Sequence, residues 1–161
     1  MDKRIQKIIP FLWFDQQAEE AATFYTSIFP NSKIASVSRY GEAGPGPKGS
    51  VMTVAFELDG QCFTALNGGP HFKFTEAFSL VVNCESQEEV DHYWEKLSDG
   101  GQIVQCGWLK DRYGLSWQIV PVIMIALLQD PDQERSQRVM KAMLTMTKLD
   151  IAGLQRAYKQ A

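Results

Sequence analysis

The chain has 161 residues, of which 45% are hydrophobic and 22% charged, a balance typical of one soluble globular domain. Its 16 basic and 19 acidic side chains give a net charge of −3, and the basic ones are scattered, which argues against nucleic-acid and anionic-membrane binding. The longest apolar run, residues 122–128, is too short to cross a bilayer, and no signal-peptide segment is recognised, so we expect a cytoplasmic protein with no membrane partner. Three cysteines without a C-x-x-C pair predict reduced thiols.

The first half of the chain predicts a strand, a helix and three further strands. Residues 8–14 form an apolar run of strand length, and Asp15 is expected to cap a helix that ends before Pro30. Strands are predicted at 33–40, 52–58 and 61–66, and Asp59-Gly60 between the last two indicates a hairpin turn. The apolar face of the helix has helical spacing and consists of Ala18, Ala21, Ala22, Tyr25, Ile28 and Phe29.

The same order of elements recurs in the second half. Residues 78–84 predict a strand, and Ser86 and Glu89 have the spacing of a capping box before a helix that ends at Gly100. Short strands are predicted at 102–105, 107–111 and 115–120. We therefore predict two βαβββ modules, 5–70 and 74–121. The alternative is a chance similarity between two ordinary amphipathic helices.

The remaining residues, 122–161, predict a helical tail. Asp130, followed by Pro131, is expected to cap one helix, and Asp150 is expected to cap another. The first of these helices has an apolar stripe that includes Met140 and Met143. Methionines on such a stripe are typical either of adaptable core packing or of a subunit interface, and both interpretations stay open.

Four stretches carry a resemblance to a known family: residues 10–15 (PFLWFD), 25–30, 64–70 (TALNGGP) and 107–118 (GWLKDRYGLSWQ). With the doubled module, they resemble the PhnB-like branch of the vicinal oxygen chelate, or glyoxalase/bleomycin-resistance, superfamily, a branch described as 3-demethylubiquinone-9 3-methyltransferase. The resemblance extends over residues 5–160. It implies an α+β fold in which paired modules curl their sheets around a shared cavity, followed by C-terminal helices, and it implies a homodimer.

The residues favour neither a methyltransferase nor a metal site. The one G-x-G-x-x-G, residues 44–49, lies between two predicted strands, and its two prolines lack the amide donors that a phosphate would need. Metal-dependent members of the superfamily take His and Glu ligands from the first and last strands of each module, and none of these strands has a His here. We predict no metal and no cofactor; the alternative is a convergence of His71, Glu57 and Glu76.

Aromatic residues on or beside the predicted strands indicate an apolar cup for a small organic molecule. The predicted ligand-binding residues are Trp13, Phe56, Asn67, Gly68, Gly69, Phe74, Trp108, Trp117 and Gln118. The alternative is that these rings fill the core. His71 and Asp111 are the candidate catalytic proton carriers, although the loop around His71 favours the alternative of a histidine hydrogen-bonded to the backbone.

We therefore expect a metal-independent protein that binds a small organic molecule. One alternative is an enzyme of the superfamily that acts on a small carbonyl or aromatic compound through His71 or Asp111. Another is a dimer scaffold for a protein partner, with the helical tail as its surface.

Overall fold

The computed structural model describes residues 5–160, and they divide into two compact units with the boundary between Lys73 and Phe74. Each unit contains one mixed four-stranded sheet. None of the helices described between residues 5 and 160 has the length and apolar character needed to cross a bilayer.

The first unit contains one helix and four strands in the order β1 (Phe11–Phe14), α1 (Ala18–Ile28), β2 (Lys33–Arg39), β3 (Val51–Leu58) and β4 (Gln61–Asn67). In the sheet the strand order is β1-β4-β3-β2, with β1 parallel to β4 and the other neighbours antiparallel. The predicted hairpin is confirmed, because Asp59 and Gly60 have φ angles of 47° and 79° in the turn between β3 and β4.

Two details at the start of this unit differ from the prediction. Strand β1 begins at Phe11, three residues later than expected, since Pro10 has no N–H to donate to a ladder and Ile8 is 84% exposed. The prediction that Asp15 caps α1 is wrong. The N-cap is Gln17, whose side chain makes no cap, and the N–H of Ala18 instead donates to Oδ1 of Asn67 on β4 (2.9 Å).

The second unit repeats this arrangement with β5 (Ser79–Cys84), α2 (Gln87–Ser98), β6 (Gln102–Ile103), β7 (Trp108–Lys110) and β8 (Ser116–Pro121). The strand order is β5-β8-β7-β6, and β5 is parallel to β8, so the two sheets have the same topology. The predicted duplication is confirmed. The capping pair before α2 is confirmed too, because Ser86 Oγ accepts from Glu89 N (3.2 Å), and Glu89 in turn accepts from the N–H of Glu85 (2.7 Å).

Three helices complete the second unit: α3 (Val122–Leu128), α4 (Gln133–Leu144) and α5 (Ile151–Lys159). Helix α3 lies within the predicted helical tail, but it was not predicted as a separate helix. The N-cap of α4 is Asp132 and not Asp130, whose carboxylate accepts from the N–H of Asp132 (2.8 Å). Asp150 caps α5 as predicted, accepting from Ala152 and Gly153.

The tail helices pack together on the end of β8. Val120, Met124, Val139, Leu149 and Leu154 form a buried core there, with Met143 and Met146 against it. Core packing thus accounts for these two methionines. Gln87 on α2 fastens the tail to the rest of the unit, because its amide donates to Leu149 O (3.1 Å) and accepts from Ile151 N (2.8 Å).

Candidate site on the open face of the second sheet

Each sheet has one face covered by its own helix and an opposite face that we call the open face. On the first sheet Phe56 points to α1, where its ring stacks on Tyr25 with centroids 6.2 Å apart. On the second sheet the covered face includes Leu109, Trp117 and Ile119, all at most 2% exposed, and α2 packs against β7 and β8. Because side chains alternate along a strand, their neighbours in sequence lie on the open face.

Two of the predicted ligand-binding rings belong to the core. Phe56 is 1% exposed and its ring also stacks on Phe63, and Trp117 is 2% exposed on the covered face of the second sheet. A ligand on the open face therefore cannot contact either ring. Alternation along the strand identifies which residues share a face, but it does not say which of the two faces the helix will cover.

Asp111 also has a structural role. Its Oδ1 accepts from the backbone N–H groups of Tyr113 (2.8 Å) and Leu115 (3.1 Å), and its Oδ2 accepts from Nε1 of Trp117 (2.9 Å). The residue is 2% exposed. A carboxylate whose two oxygens close a turn and anchor a core indole in this way is already engaged by the fold, and this argues against a role as proton carrier.

Asn67 is likewise occupied by the fold. Besides accepting from Ala18 N, its side-chain amide donates to Val51 O (3.1 Å), and its backbone carbonyl accepts from the Tyr40 hydroxyl (2.5 Å). The residue thus joins the start of α1 to β3 and to the loop after β2. We exclude Asn67 from the candidate site, because its amide already holds these elements together.

The structure does bring together four other predicted residues in the first unit: Trp13, Gly68, Gly69 and His71. Trp13 donates from Nε1 to the carbonyl of Gly69 (3.0 Å), and its ring lies so close to Gly68 that a Cβ there would be 2.3 Å from it. The ring of Phe72 meets that of Trp13 edge-on with centroids 4.9 Å apart. His71 lies exposed beside Gly69. This aromatic group is partly open to solvent, and a catalytic role for His71 stays a prediction.

The remaining predicted residues are in the second unit. Phe74 is half-buried in the segment before β5. Trp108 and Gln118 are register partners on β7 and β8, so they lie side by side on the open face, and both are half-buried. The Nε2 of Gln118 donates to Oγ of Ser79 (3.0 Å). Ser79 was not among the predicted site residues.

Ser116 completes this group and is its most informative member. It is the register partner of both Ser79 and Lys110 and is 1% exposed. Its hydroxyl has no hydrogen-bond partner among the described residues. Burying a hydroxyl without a partner is unfavourable, so such an atom in a folded protein requires an explanation. We call Ser79, Trp108, Lys110, Ser116 and Gln118 the Gln118 group.

The family model that matches this chain is 3-demethylubiquinone-9 3-methyltransferase, over residues 6–120. Among solved structures, the PhnB protein from Bacillus cereus is 44% identical, with a TM-score of 0.66, and the match covers 72% of this chain and 99% of that one. Protein PA1353 from Pseudomonas aeruginosa is 20% identical, with a TM-score of 0.61 and coverage of 73% and 98%. No protein of curated function matches.

A third solved structure raises the question of a metal. The fosfomycin resistance protein FosX from Listeria monocytogenes, solved with Mn(II) and sulfate, is 17% identical, with a TM-score of 0.50 and coverage of 75% and 91%. Within residues 5–160 of the present chain, no three His, Cys, Asp or Glu side chains are grouped so that they could hold a metal ion. Burial, followed by the charge of Glu89, raises the pKa of Cys84 on β5 to about 12 in the metal-free protein. The residues present do not fit such a metal.

The family match is shorter than the resemblance predicted from the sequence. It ends at residue 120, immediately before Pro121 and helix α3, so the helical tail lies outside it. The match nevertheless includes both duplicated modules, and the identity to the Bacillus protein extends over nearly all of that protein. The chain belongs to the 3-demethylubiquinone-9 3-methyltransferase family, the PhnB-like branch of the vicinal oxygen chelate superfamily.

Proposed function

We propose that this protein binds a small, partly apolar organic molecule on the open face of its second sheet, without a metal. The observation that carries the proposal is the buried hydroxyl of Ser116, which has no partner among the described residues. Binding sites combine apolar surface with a few convergent polar groups, and Trp108, Val81 and Gln118 supply both beside Ser116. Val81 is 52% exposed, so this part of the face is open to a ligand.

The polar groups of this face differ in kind from Asp111 and Asn67. The latter two have their side chains fully engaged in a turn and a helix start. In the Gln118 group, by contrast, the internal bond from Gln118 to Ser79 leaves the hydroxyl of Ser116 free to donate. A ligand carbonyl or hydroxyl that accepts this proton satisfies Ser116, and an aromatic ligand packs on Trp108.

We do not propose methyl transfer, although the family is described as a methyltransferase. Methyl transfer from S-adenosylmethionine is typical of a doubly wound parallel sheet with a glycine-rich turn before a helix. In the described residues both sheets are mixed, and α1 and α2 follow Gln17 and Ser86 with no glycine at the turn. Our proposal therefore requires only binding.

Replacing Ser116 by alanine tests the proposal. Because its hydroxyl has no partner, Ser116→Ala is expected to leave the free energy of unfolding unchanged or to raise it by about 1 kcal/mol. The same variant should weaken the binding of benzamide, as a reference probe, about fivefold in a calorimetric or NMR titration in chelator-treated buffer.

Ser36→Ala, at an exposed serine on β2, is the matched control and should change neither quantity. A marked loss of stability in Ser116→Ala with unaltered probe binding would show that the hydroxyl serves the fold. A requirement for added metal would contradict the metal-free part of the proposal.

We further propose a cytoplasmic homodimer. Leu144, Val122 and Ile125 on the tail are 57%, 41% and 40% exposed and lie outside the tail core, so they are apolar surface that a second subunit could cover. The three cysteines are free, which is consistent with a reducing compartment. A sedimentation mass near that of one 18.2 kDa chain at micromolar concentration would contradict the dimer.

A further inference from the structure

The Gln118 group contains one cation, and that cation is already paired. Lys110 is the one basic residue on strands β5 to β8. Its ammonium forms an ion pair with Oε1 of Glu76, in the segment that leads into β5. The hydrogen bond from Lys110, followed by a backbone hydrogen bond and the charge of Lys110, holds the pKa of Glu76 below its usual value. Glu76 is thus ionised at neutral pH.

The uncharged members of the group are therefore the ones that a ligand can engage. Lys110 and Ser116 are register partners on neighbouring strands, so the side chain of the paired lysine starts beside the residue whose hydroxyl has no partner. A ligand carboxylate or phosphate placed there would meet the Glu76 carboxylate as well as the ammonium, and like charges at short range repel. A carbonyl, amide or hydroxyl incurs no such penalty and still has an oxygen that accepts the proton of Ser116.

We infer that the site selects electrically neutral aromatic compounds that carry a carbonyl or hydroxyl group, and that Glu76 determines this selection by neutralising Lys110. The inference rests on the proposed function and assigns its ligand class. Glu76 acts here as a specificity residue, since it excludes anions through its charge and the ligand contacts are made by its neighbours.

Benzamide and benzoate test the charge preference, because they have the same ring and nearly the same shape and differ in charge at pH 7. We expect wild-type protein to bind benzamide at least tenfold more tightly than benzoate in chelator-treated, low-salt buffer. Glu76→Gln releases the ammonium of Lys110, so benzoate should bind about tenfold more tightly to that variant, and this gain should shrink as salt is added. Benzamide affinity should stay within about twofold.

Two controls separate this effect from a general change in charge. Glu42→Gln removes the same charge from another ion pair, that with Lys48 in the first unit (2.7 Å), and should behave as wild type. The double variant Glu76→Gln, Lys110→Met should lose the gain in benzoate affinity.

Equal binding of benzoate and benzamide by the wild type would overturn the inference while leaving the binding site in place. So would a Glu76→Gln variant in which both affinities change by the same factor. Failure of both probes to bind wild type and variant alike would overturn the proposed function, and this inference with it.

Discussion

Single polar side chains decide which parts of this molecule serve the fold and which remain for a ligand. Asp111 and Asn67 have the residue types expected at a functional site, yet both are engaged by backbone N–H groups: those of the adjoining turn for Asp111, and that of Ala18 at the start of α1 for Asn67. Residue type and sequence position could not predict these partners, because they depend on how a turn closes. Trp108 and Gln118 were both predicted as site residues on strands, and the register of β7 and β8 makes them neighbours.

The structural role of Asp111 is directly testable. Asp111→Asn keeps the shape of the side chain but replaces an acceptor with an N–H that faces donors, so we expect the free energy of unfolding to fall by about 1–3 kcal/mol in a urea titration. Asp99→Asn is a matched control, because Asp99 is exposed and pairs only at the surface with Arg112; its effect should stay below about 1 kcal/mol. An Asp111→Asn variant as stable as wild type would return Asp111 to the candidate catalytic residues.

At the scale of elements, the sequence correctly predicted those turns and caps whose interacting residues lie close together in the chain. The turn at Asp59-Gly60 and the capping serine of α2 depend on residues a few positions apart, and both are confirmed. The start of α1 was mispredicted because its cap, Asn67, is contributed by β4, 49 residues from Ala18. Helix α3 was missed because its sequence, VIMIALL, is apolar throughout and has no periodicity to distinguish a helix from a strand.

The attachment of the tail depends on one side chain of α2. Gln87→Ala removes the acceptor for Ile151 N and the donor to Leu149 O, so hydrogen exchange at the Ile151 amide should accelerate about tenfold or more. Gln87 also donates to Asp91, and this bond, with that from Lys148, lowers the pKa of Asp91. In the variant that pKa should therefore rise toward its ordinary value.

Glu88→Ala, at the exposed neighbouring position, should change neither quantity. Unchanged exchange at Ile151 in Gln87→Ala would mean that the core of the tail alone keeps α5 in place.

At the scale of the whole molecule, the chain consists of a duplicated family module and an additional helical tail. The duplication and the α+β class were predictable because element order repeats, even where residues do not. The tail has its own apolar core and adds backbone bonds to the loop before β7, where Cys106 and Gly107 donate to the carbonyls of Met146 and Thr147 (both 2.8 Å). It therefore supports the unit that carries the Gln118 group.

The central claim is that the open face of the second sheet binds a neutral organic molecule without a metal. An NMR titration of metal-free, isotope-labelled protein with benzamide tests it most directly. We expect saturable shifts concentrated at Ser79, Val81, Trp108, Ser116 and Gln118, with the resonances of α1 unmoved. No saturable shift on this face, or shifts that appear only after a divalent metal is added, would contradict the claim.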